Sequence, residues 1–589
     1  MAGPIGDILW TPDDARIGAA RLTRFRHAAA ERFGLELPDQ AALHAWSVTH
    51  PENFWSLVWD FCGVVGDGPG EVVLEDGDRM PGARWFPAAR LNYAENLLHG
   101  PDDAEALIFR GEMGDTRRLN FGELRGTSAR LAARLKAEGV GPGDRVAGFM
   151  PNLPETIIAM LAAARLGAVW SSCSPDFGVQ GVLYRFGQFE PVVLFCADGY
   201  QSGGKTHASR STVELLQASL PTLRHTVVVP FAGVDQPAAV TPWDDFVAGA
   251  SEEDPGFARL PFDHPLFIMF SSGTTGLPKC MVHSAGGTLL QHLKEHQLHC
   301  DVGPGDRLFY FTTCGWMMWN WLVSGLASGA TVMLYDGHPL KPATAVWDYA
   351  ADEKFTVLGT SAKWIAACEK AGVRPAESHD LGALRAVLST GSPLSPESFD
   401  WVYDAVKPDL QLSSISGGTD IISCFALGSP VLPVRRGELQ CRGLGMKVEV
   451  FDDDGKPVTG HKGELVCTAP FPSMPTGFWN DPEGEKYHAA YFDRFENTWC
   501  HGDFAEITPA GGMVIHGRSD TVLNPGGVRI GTAEIYRVVE QFDAVVDSLV
   551  VGLNRGGDVE VALFVVLREG LVLDDDLVGE LRARIRAEN

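Results

Sequence analysis

Leu266–Phe270 reads LFIMF, and the next nine residues, Ser271–Lys279, read SSGTTGLPK. The unbroken apolar run predicts a strand buried on both faces. A strand that ends in small hydroxyl and glycine residues opens into a loop whose backbone N–H groups and hydroxyls can wrap phosphate oxygens, with Lys279 as a point charge. It is not a Walker A loop. That motif has Gly before its lysine and Ser or Thr after it, and here Pro278 and Cys280 take those places. By composition alone such a loop is as often an ordinary surface turn.

Outward from this junction the chain alternates strands and helices. Asp144–Met150 predicts a strand, Pro154–Leu166 a helix with Pro at its start and Gly167 after its end, and Ala168–Ser171 the next strand. Further strands are expected at Val192–Cys196 and Thr226–Val229. Such alternation predicts an α/β fold with parallel sheets. VGPGDR occurs twice, at Val140–Arg145 and Val302–Arg307. The first reading is a recurrent helix-to-strand turn, and the sharper one is two similar α/β subdomains. After about residue 440 short strands and turns predict a small β-rich subdomain. Beyond GRSDTVLNPGG, a helix at Ala533–Gln541, strands at Ser548–Gly552 and Val559–Leu567, and a helix from Asp574 predict a small α+β domain at the C-terminus. The expected division is an N-terminal segment over 1–105, a large domain over 106–518 and a small mobile domain over 519–589.

The 589 residues carry 75 acidic and 48 basic side chains, a formal charge of −27, which argues against a nucleic-acid surface. Anionic ligands would have to find their positive charge locally. No apolar run approaches the ~20 residues that span a bilayer, and the first residues lack a basic segment followed by an apolar one, so no secretory signal is expected. The eleven cysteines show neither C-x-x-C nor zinc spacing, and reduced structural thiols in a cytoplasmic protein are expected.

As a full string after a strand, SSGTTGLPK resembles the phosphate loop of the adenylate-forming superfamily, which includes acyl-CoA synthetases, luciferases and peptide-synthetase adenylation domains. The resemblance extends over nearly the whole chain. It implies ATP contacts from Ser271, Ser272, Gly273, Thr274, Thr275 and Gly276, and an adenine-contacting turn at Gly391-Ser392-Pro393. Gly418-Thr419-Asp420 is similar to the Thr-Glu element, in which the hydroxyl meets the α-phosphate and the acid holds Mg²⁺. Here the acid is Asp420, one methylene shorter. His501-Gly502-Asp503 and Gly517-Arg518 resemble the ribose-binding elements, Asp520 the hinge position and Arg529 a phosphate-contacting arginine. Gly526-Gly527 resembles the segment that lines the pantetheine tunnel of CoA, and Lys205 occupies the place of a basic residue near CoA's phosphate, although an exposed lysine is its plainer reading. Taken singly these would be turns, caps and solvated charges; their order along the chain lifts them above that.

Two stretches narrow the branch. Ala83–Leu98, ARWFPAARLNYAENLL, resembles the N-terminal segment of acetyl-CoA synthetase-like enzymes. Lys279–His299 and Cys314–Gly337 resemble the branch that activates acetoacetate. Acetate-specific relatives close the acyl pocket with a Trp where this chain has Gly417, so the resemblance implies a roomier pocket lined by Trp316, Met317, Met318, Gly417 and Gly418, with Trp316 as gating aromatic. Trp319 and Trp321 read equally well as core. The implied reaction joins acetoacetate to CoA with ATP and Mg²⁺ through an acyl-adenylate, with Lys279, Thr419, Asp420 and Trp316 catalytic. The sequence ends at LRARIRAEN, before the lysine-bearing stretch the superfamily carries near its C-terminus, and a longer parent chain is expected. The alternatives are a synthetase for another short acid, such as propionate or butyrate, and a nucleotide- and CoA-binding protein with little adenylation activity.

Overall fold

The computed structural model describes residues 4–249, 253–271, 278–520, 522–528, 530–539, 541–555, 558–568 and 570–588. The run LFIMF lies within the strand Pro265–Ser271, which pairs in parallel with Val169–Cys173 and antiparallel with Lys279–Ser284. It belongs to an eight-stranded sheet whose order is Thr241–Pro242, His225–Val229, Val193–Ala197, Arg145–Phe149, Val169–Cys173, Pro265–Ser271, Lys279–Ser284 and Gly477–Phe478. All neighbours are parallel as far as Pro265–Ser271. A seven-stranded sheet runs Gln411–Ser414, Ala386–Thr390, Val357–Ser361, Arg307–Tyr310, Thr331–Asp336, Glu105–Gly111 and Thr116–Asn120, with only the last strand reversed. The fold is α/β, as expected.

The two copies of VGPGDR build the same turn. Gly143 and Gly305 take φ of +82° and +87°, which a side chain would resist. The Asp144 carboxylate accepts from Gly141 N–H at 2.9 Å, and Asp306 does the same for Gly303 at 2.8 Å. Each Asp carbonyl then accepts the N–H that opens the adjacent strand, from Val169 at 2.7 Å and Thr331 at 2.9 Å. Arg145–Phe149 and Arg307–Tyr310 also hold equivalent places. In each sheet the following strand lies on one side and the one after it on the other. Both readings of the repeat therefore hold: it is a recurrent turn, and it marks two sheets wound alike.

Helix Pro154–Leu166 starts on Pro and stops at Gly167 in the left-handed conformation, φ +79°. Its faces are buried throughout, because it lies between layers. The N-terminal helices Arg21–Phe33, Gln40–Thr49 and Pro51–Phe61 contribute Phe25, Trp46, Phe54, Trp55 and Trp59 to the main core, which also contains Leu289 and Leu293 of helix Ala285–Lys294. An antiparallel sheet of Val448–Phe451, Gly463–Cys467, Trp499–Ile507 and Met513–Arg518 forms its own core. A last, separate core joins the hairpin Val545–Arg555 and Asp558–Leu567 to helices Thr532–Val539 and Asp575–Glu588. Ser271, Thr390 and Ser414 end parallel strands of the two large sheets, so both sheets aim their C-terminal edges at one region, where open α/β sheets bind ligands.

Candidate active site

A cavity of about 240 Å³ opens at that edge. Ser271, Gly391, Ser392, Pro393, Gly417, Gly418, Thr419, Asp503 and Arg518 line it, together with Trp316, Met317 and Met318. Gly527, Val528, Ile530 and Glu534 face the same cavity from the C-terminal end of the chain. Ser272, Gly273, Thr274, Thr275, Gly276 and Arg529 lie outside the described residues.

Asp420 is the centre of charge. It sits in a single 3₁₀ turn, Thr419–Ile421, and only 2% of it is exposed. Lys279, which opens the strand after the phosphate-loop segment, places Nζ 3.2 Å from Asp420 Oδ1. Ser271 Oγ donates to the same oxygen at 3.5 Å, and so does the Tyr491 hydroxyl. The Tyr491 ring also lies 4.6 Å from Lys279 Nζ, a cation–π contact. One buried carboxylate oxygen thus gathers an ammonium and two hydroxyls, which fix its direction.

Asp503 and Arg518 face each other across neighbouring strands, with Arg518 Nη1 3.1 Å from Asp503 Oδ1. Arg518 also donates Nε–H to Asp520 Oδ1 at 3.0 Å, and Asp520 Oδ1 accepts from Val522 N–H at 3.0 Å. The three side chains form a chain of charge from the cavity wall to Asp520. Gly502 makes the approach possible, since a Cβ there would stand 2.7 Å from Arg518 Nη2. Asn524 Nδ2 donates to Gly391 O at 2.9 Å, and Gly527 packs directly on Gly391. The Gly526-Gly527 turn therefore touches the Gly391 turn.

On another side of the cavity, Met317 and Met318 are buried while Trp316 is 40% exposed, just before helix Met317–Ser324. Trp319 and Trp321 are core: their indole N–H groups donate to Asn152 at 3.0 Å and to Glu295 at 2.8 Å. Gly417 differs from the void anticipated for it. It pairs with Cys424 on Ser423–Leu427, and a Cβ at 417 would stand 2.0 Å from Ser423 O and 2.6 Å from Cys424 Cα. The glycine is required by the close passage of two backbones, so it opens space by letting the strand approach rather than by leaving an empty indole site. Cys424 contributes to the cavity wall, and burial raises its thiol pKa well above the ordinary range, with Glu295 adding to the effect.

Lys205 lies on the exposed hairpin Gly199–Ala208, apart from the residues that line the cavity. Three contributors had no signal in the motifs. Tyr491 is far from them in sequence, and Arg185 and Cys424 reach the cavity by topology. His501 was read only as part of its motif. Its Nδ1 lies 3.3 Å from the Trp499 indole N–H, so Nε2 carries the hydrogen and donates to Gly417 O at 3.3 Å.

The cavity at the C-terminal edges of the two sheets has the Asp503–Arg518 pair in its wall, and the Lys279–Asp420 pair lies behind its lining residues Ser271 and Thr419. Residues 94–479 match the AMP-binding enzyme family, and residues 40–97 match the acetyl-coenzyme A synthetase N-terminus. An acetoacetyl-coenzyme A synthetase of Rhizobium meliloti (strain 1021) is 58% identical over 98% of this chain and 90% of its own. A malonamoyl-CoA synthetase of Penicillium aethiopicum is 39% identical over 99% of this chain and 84% of its own. The solved structure of an acetoacetyl-CoA synthetase from Streptomyces lividans superimposes with a TM-score of 0.85 at 48% identity, covering 98% of this chain and 90% of that one. The chain belongs to the AMP-binding enzyme family and, within it, to the acetoacetyl-CoA synthetases.

Proposed function

We propose that this chain ligates acetoacetate to CoA at the expense of ATP, through an acyl-adenylate, releasing AMP and pyrophosphate. The observation that carries the reading is the 58% identity to an acetoacetyl-coenzyme A synthetase over 98% of the chain. Asp503 and Arg518 in the cavity wall, with the Lys279–Asp420 pair just behind Ser271 and Thr419, supply the chemistry such a reaction needs.

A carboxylate resists attack by a thiol because oxide is a poor leaving group. In a mixed anhydride with AMP, the thiol attacks the carbonyl, the C–O bond to AMP breaks, and AMP leaves. The first step brings a carboxylate up to a polyanion, so it depends on neutralised charge and alignment. Lys279 neutralises phosphate charge and Thr419 offers a hydroxyl beside it. Asp503 accepts from ribose hydroxyls, and Arg518 holds Asp503 in place. Among the described residues no cluster of three or more His, Cys, Asp or Glu forms a metal cage. That fits Mg²⁺, which is commonly held by one or two carboxylates and the phosphates themselves, and Asp420 is the carboxylate placed to hold it. The ion, when bound, offsets the charge on the transferring phosphate.

For the second step the chain needs a different face toward the carbonyl. We assign residues 519–589 to a small domain that turns about Asp520, with Gly526 and Gly527 passing the thiol arm of CoA, and residues 1–105 to a segment fixed on the large domain. The separate core of the C-terminal helices and hairpin supports that division. A cytoplasmic location belongs to the same proposal. It draws on cysteines that are all free and on the absence, among the described residues, of any helix long and apolar enough to cross a membrane.

Pyrophosphate release with Mg-ATP and a panel of acids tests the reading. Acetoacetate is expected to give the highest kcat/KM, above propionate and butyrate. Malonamate, which replaces the terminal methyl by an amino group of similar size, is expected next. Release with butyrate equal to that with acetoacetate would remove the specificity claim, and no release with any acid would remove the function.

A further inference from the structure

Helix Ala285–Lys294 continues as a π-helical turn, Glu295–His299, and seven side chains along it are polar and wholly enclosed: Thr288, Gln291, His292, Lys294, Glu295, His296 and His299. Apolar residues would fill the same volume at lower cost, since buried charge is stabilising only when it is fully paired. Such a stretch calls for a reason, and π-turns concentrate at functional sites.

The polar atoms converge on one target. Gln291 Nε2 donates to Ser423 Oγ at 2.9 Å, and Glu295 Oε1 accepts from Ser423 Oγ at 2.5 Å and from Cys424 N–H at 3.1 Å. His292 Nε2 stands 2.6 Å from Ile422 O. A carbonyl only accepts, so Nε2 carries the hydrogen. Burial holds the His292 pKa down at about 4, so the ring is neutral and Nδ1 accepts from Ser324 Oγ at 2.7 Å. The Tyr93 hydroxyl, 2.6 Å from Ser324 Oγ, completes the relay. The ring is fixed from behind and donates forward.

The target needs holding. Ile422, a β-branched residue, sits at φ +47°, a left-handed conformation that such side chains seldom adopt. It directly follows the turn Thr419–Ile421 that carries the two residues assigned to the α-phosphate and the metal. A strained turn of three residues cannot fix its own orientation; residues 422–424 leave it, and all three are gripped by one helix.

We propose that Gln291, His292 and Glu295 are positioning residues for adenylation, clamping Ile422–Cys424 so that Thr419 and Asp420 hold their setting against the incoming phosphates. The proposal rests on the adenylation reading above. None of the three touches the cavity; they act through the backbone of the turn.

ATP–pyrophosphate exchange with acetoacetate, together with AMP binding and thermal melting, tests it. The wild-type protein must first exchange; if it does not, the proposed function fails and the clamp is not at issue. Ser423→Ala removes the hydroxyl shared by Gln291 and Glu295 with little change of volume. Its kcat is expected to fall about tenfold or more, since displacement of a catalytic group by ~1 Å costs up to ~10²-fold, while KM for ATP and AMP affinity stay within about threefold. His292→Leu, which loses the donor, is expected to fall likewise, and His292→Gln, which keeps a donor at a similar reach, to recover most of the rate. Wild-type kcat in folded Ser423→Ala would overturn the proposal. So would equal rates in His292→Leu and His292→Gln with both melting near wild type, and so would a loss confined to AMP affinity. Should His292→Leu fail to fold, Ser423→Ala and His292→Gln decide the matter.

Discussion

Lys279 Nζ lies 3.2 Å from Asp420 Oδ1 and 4.6 Å from the Tyr491 ring centroid, so one ammonium group bridges a carboxylate and an aromatic face. On the proposed function, phosphate would share Lys279 with Asp420 while the Tyr491 ring keeps the ammonium in place. Asp420→Asn keeps the shape and removes the charge, and it is expected to slow ATP–pyrophosphate exchange by about 10²–10³-fold. Tyr491→Phe removes only the hydroxyl and is expected to cost about tenfold. Equal losses in the two variants would mean that the hydroxyl, not the charge, fixes the site.

Gly417→Trp would be the natural swap to make an acetate-like pocket, and the close passage at Ser423 O argues for a different outcome. Any side chain there meets backbone at 2.0 Å, so even Gly417→Ala must push two strands apart. Overpacking of this kind costs ~1–3 kcal/mol. Both variants are expected to lower the melting temperature and to lose acetoacetate activity, without a compensating gain in acetate use. A stable Gly417→Trp protein with raised acetate kcat/KM would show that the strand yields easily.

Arg518 holds Asp503 with one arm and Asp520 with the other. Arg518→Lys retains the charge but loses the fork, and KM for ATP is expected to rise about tenfold because a lysine cannot serve two carboxylates with fixed geometry. Asp520→Ala leaves Asp503 paired and frees the hinge side. It is expected to change the CoA-dependent step more than the exchange reaction, which a comparison of thioester formation with pyrophosphate exchange measures.

Acid is expected to unfold the protein early. Burial depresses His292 to about 4 and His283 and His299 to about 3, and it lowers His296 in the same direction. In the unfolded chain these rings titrate near 6.5. Their contribution is therefore intact above pH 6.5 and drains as the pH falls toward 4, because the unfolded state takes up protons that the folded state refuses. Asp336 opposes them: burial lifts its carboxyl to about 7, so the folded chain keeps a proton there that the unfolded chain loses above about pH 4. The histidines outnumber it. Stability should fall by ~1.4 kcal/mol per pH unit for each uncompensated proton. Denaturant unfolding at pH 7, 6 and 5 checks this, and a flat profile would contradict it.

The strands, the helix Pro154–Leu166 and the duplicated turn were legible because each rests on local chemistry: apolar runs, a Pro at one end, a Gly at the other. Of the motif residues, Ser271, Gly391, Ser392, Pro393, Gly418, Thr419, Asp503 and Arg518 come together at one cavity, and their order along the chain is what singled them out. Tyr491 was not, since nothing local distinguishes a tyrosine that ends a short helix from one that touches Asp420, and only the packing of that helix decides it. The close backbone passage at Gly417 was not legible for a similar reason. Glycine reads the same whether a side chain is absent to make room for ligand or to let another backbone pass. The polar run of helix Ala285–Lys294 would read as a solvated face by composition, and its complete burial comes from layers that close over it from distant parts of the chain.

Cys424 gives the cavity wall a consequence of its own. A mixed anhydride is an acylating agent, and a thiolate within reach would capture the acyl group and leave the protein modified. Burial and the neighbouring Glu295 carboxylate keep this sulfur protonated, and burial likewise raises the thiols of Cys173, Cys280, Cys441 and Cys467 to about 12. A protein whose work is to hand an activated acid to a foreign thiol thus holds its own thiols toward the protonated form, which favours the thiol that arrives with the substrate.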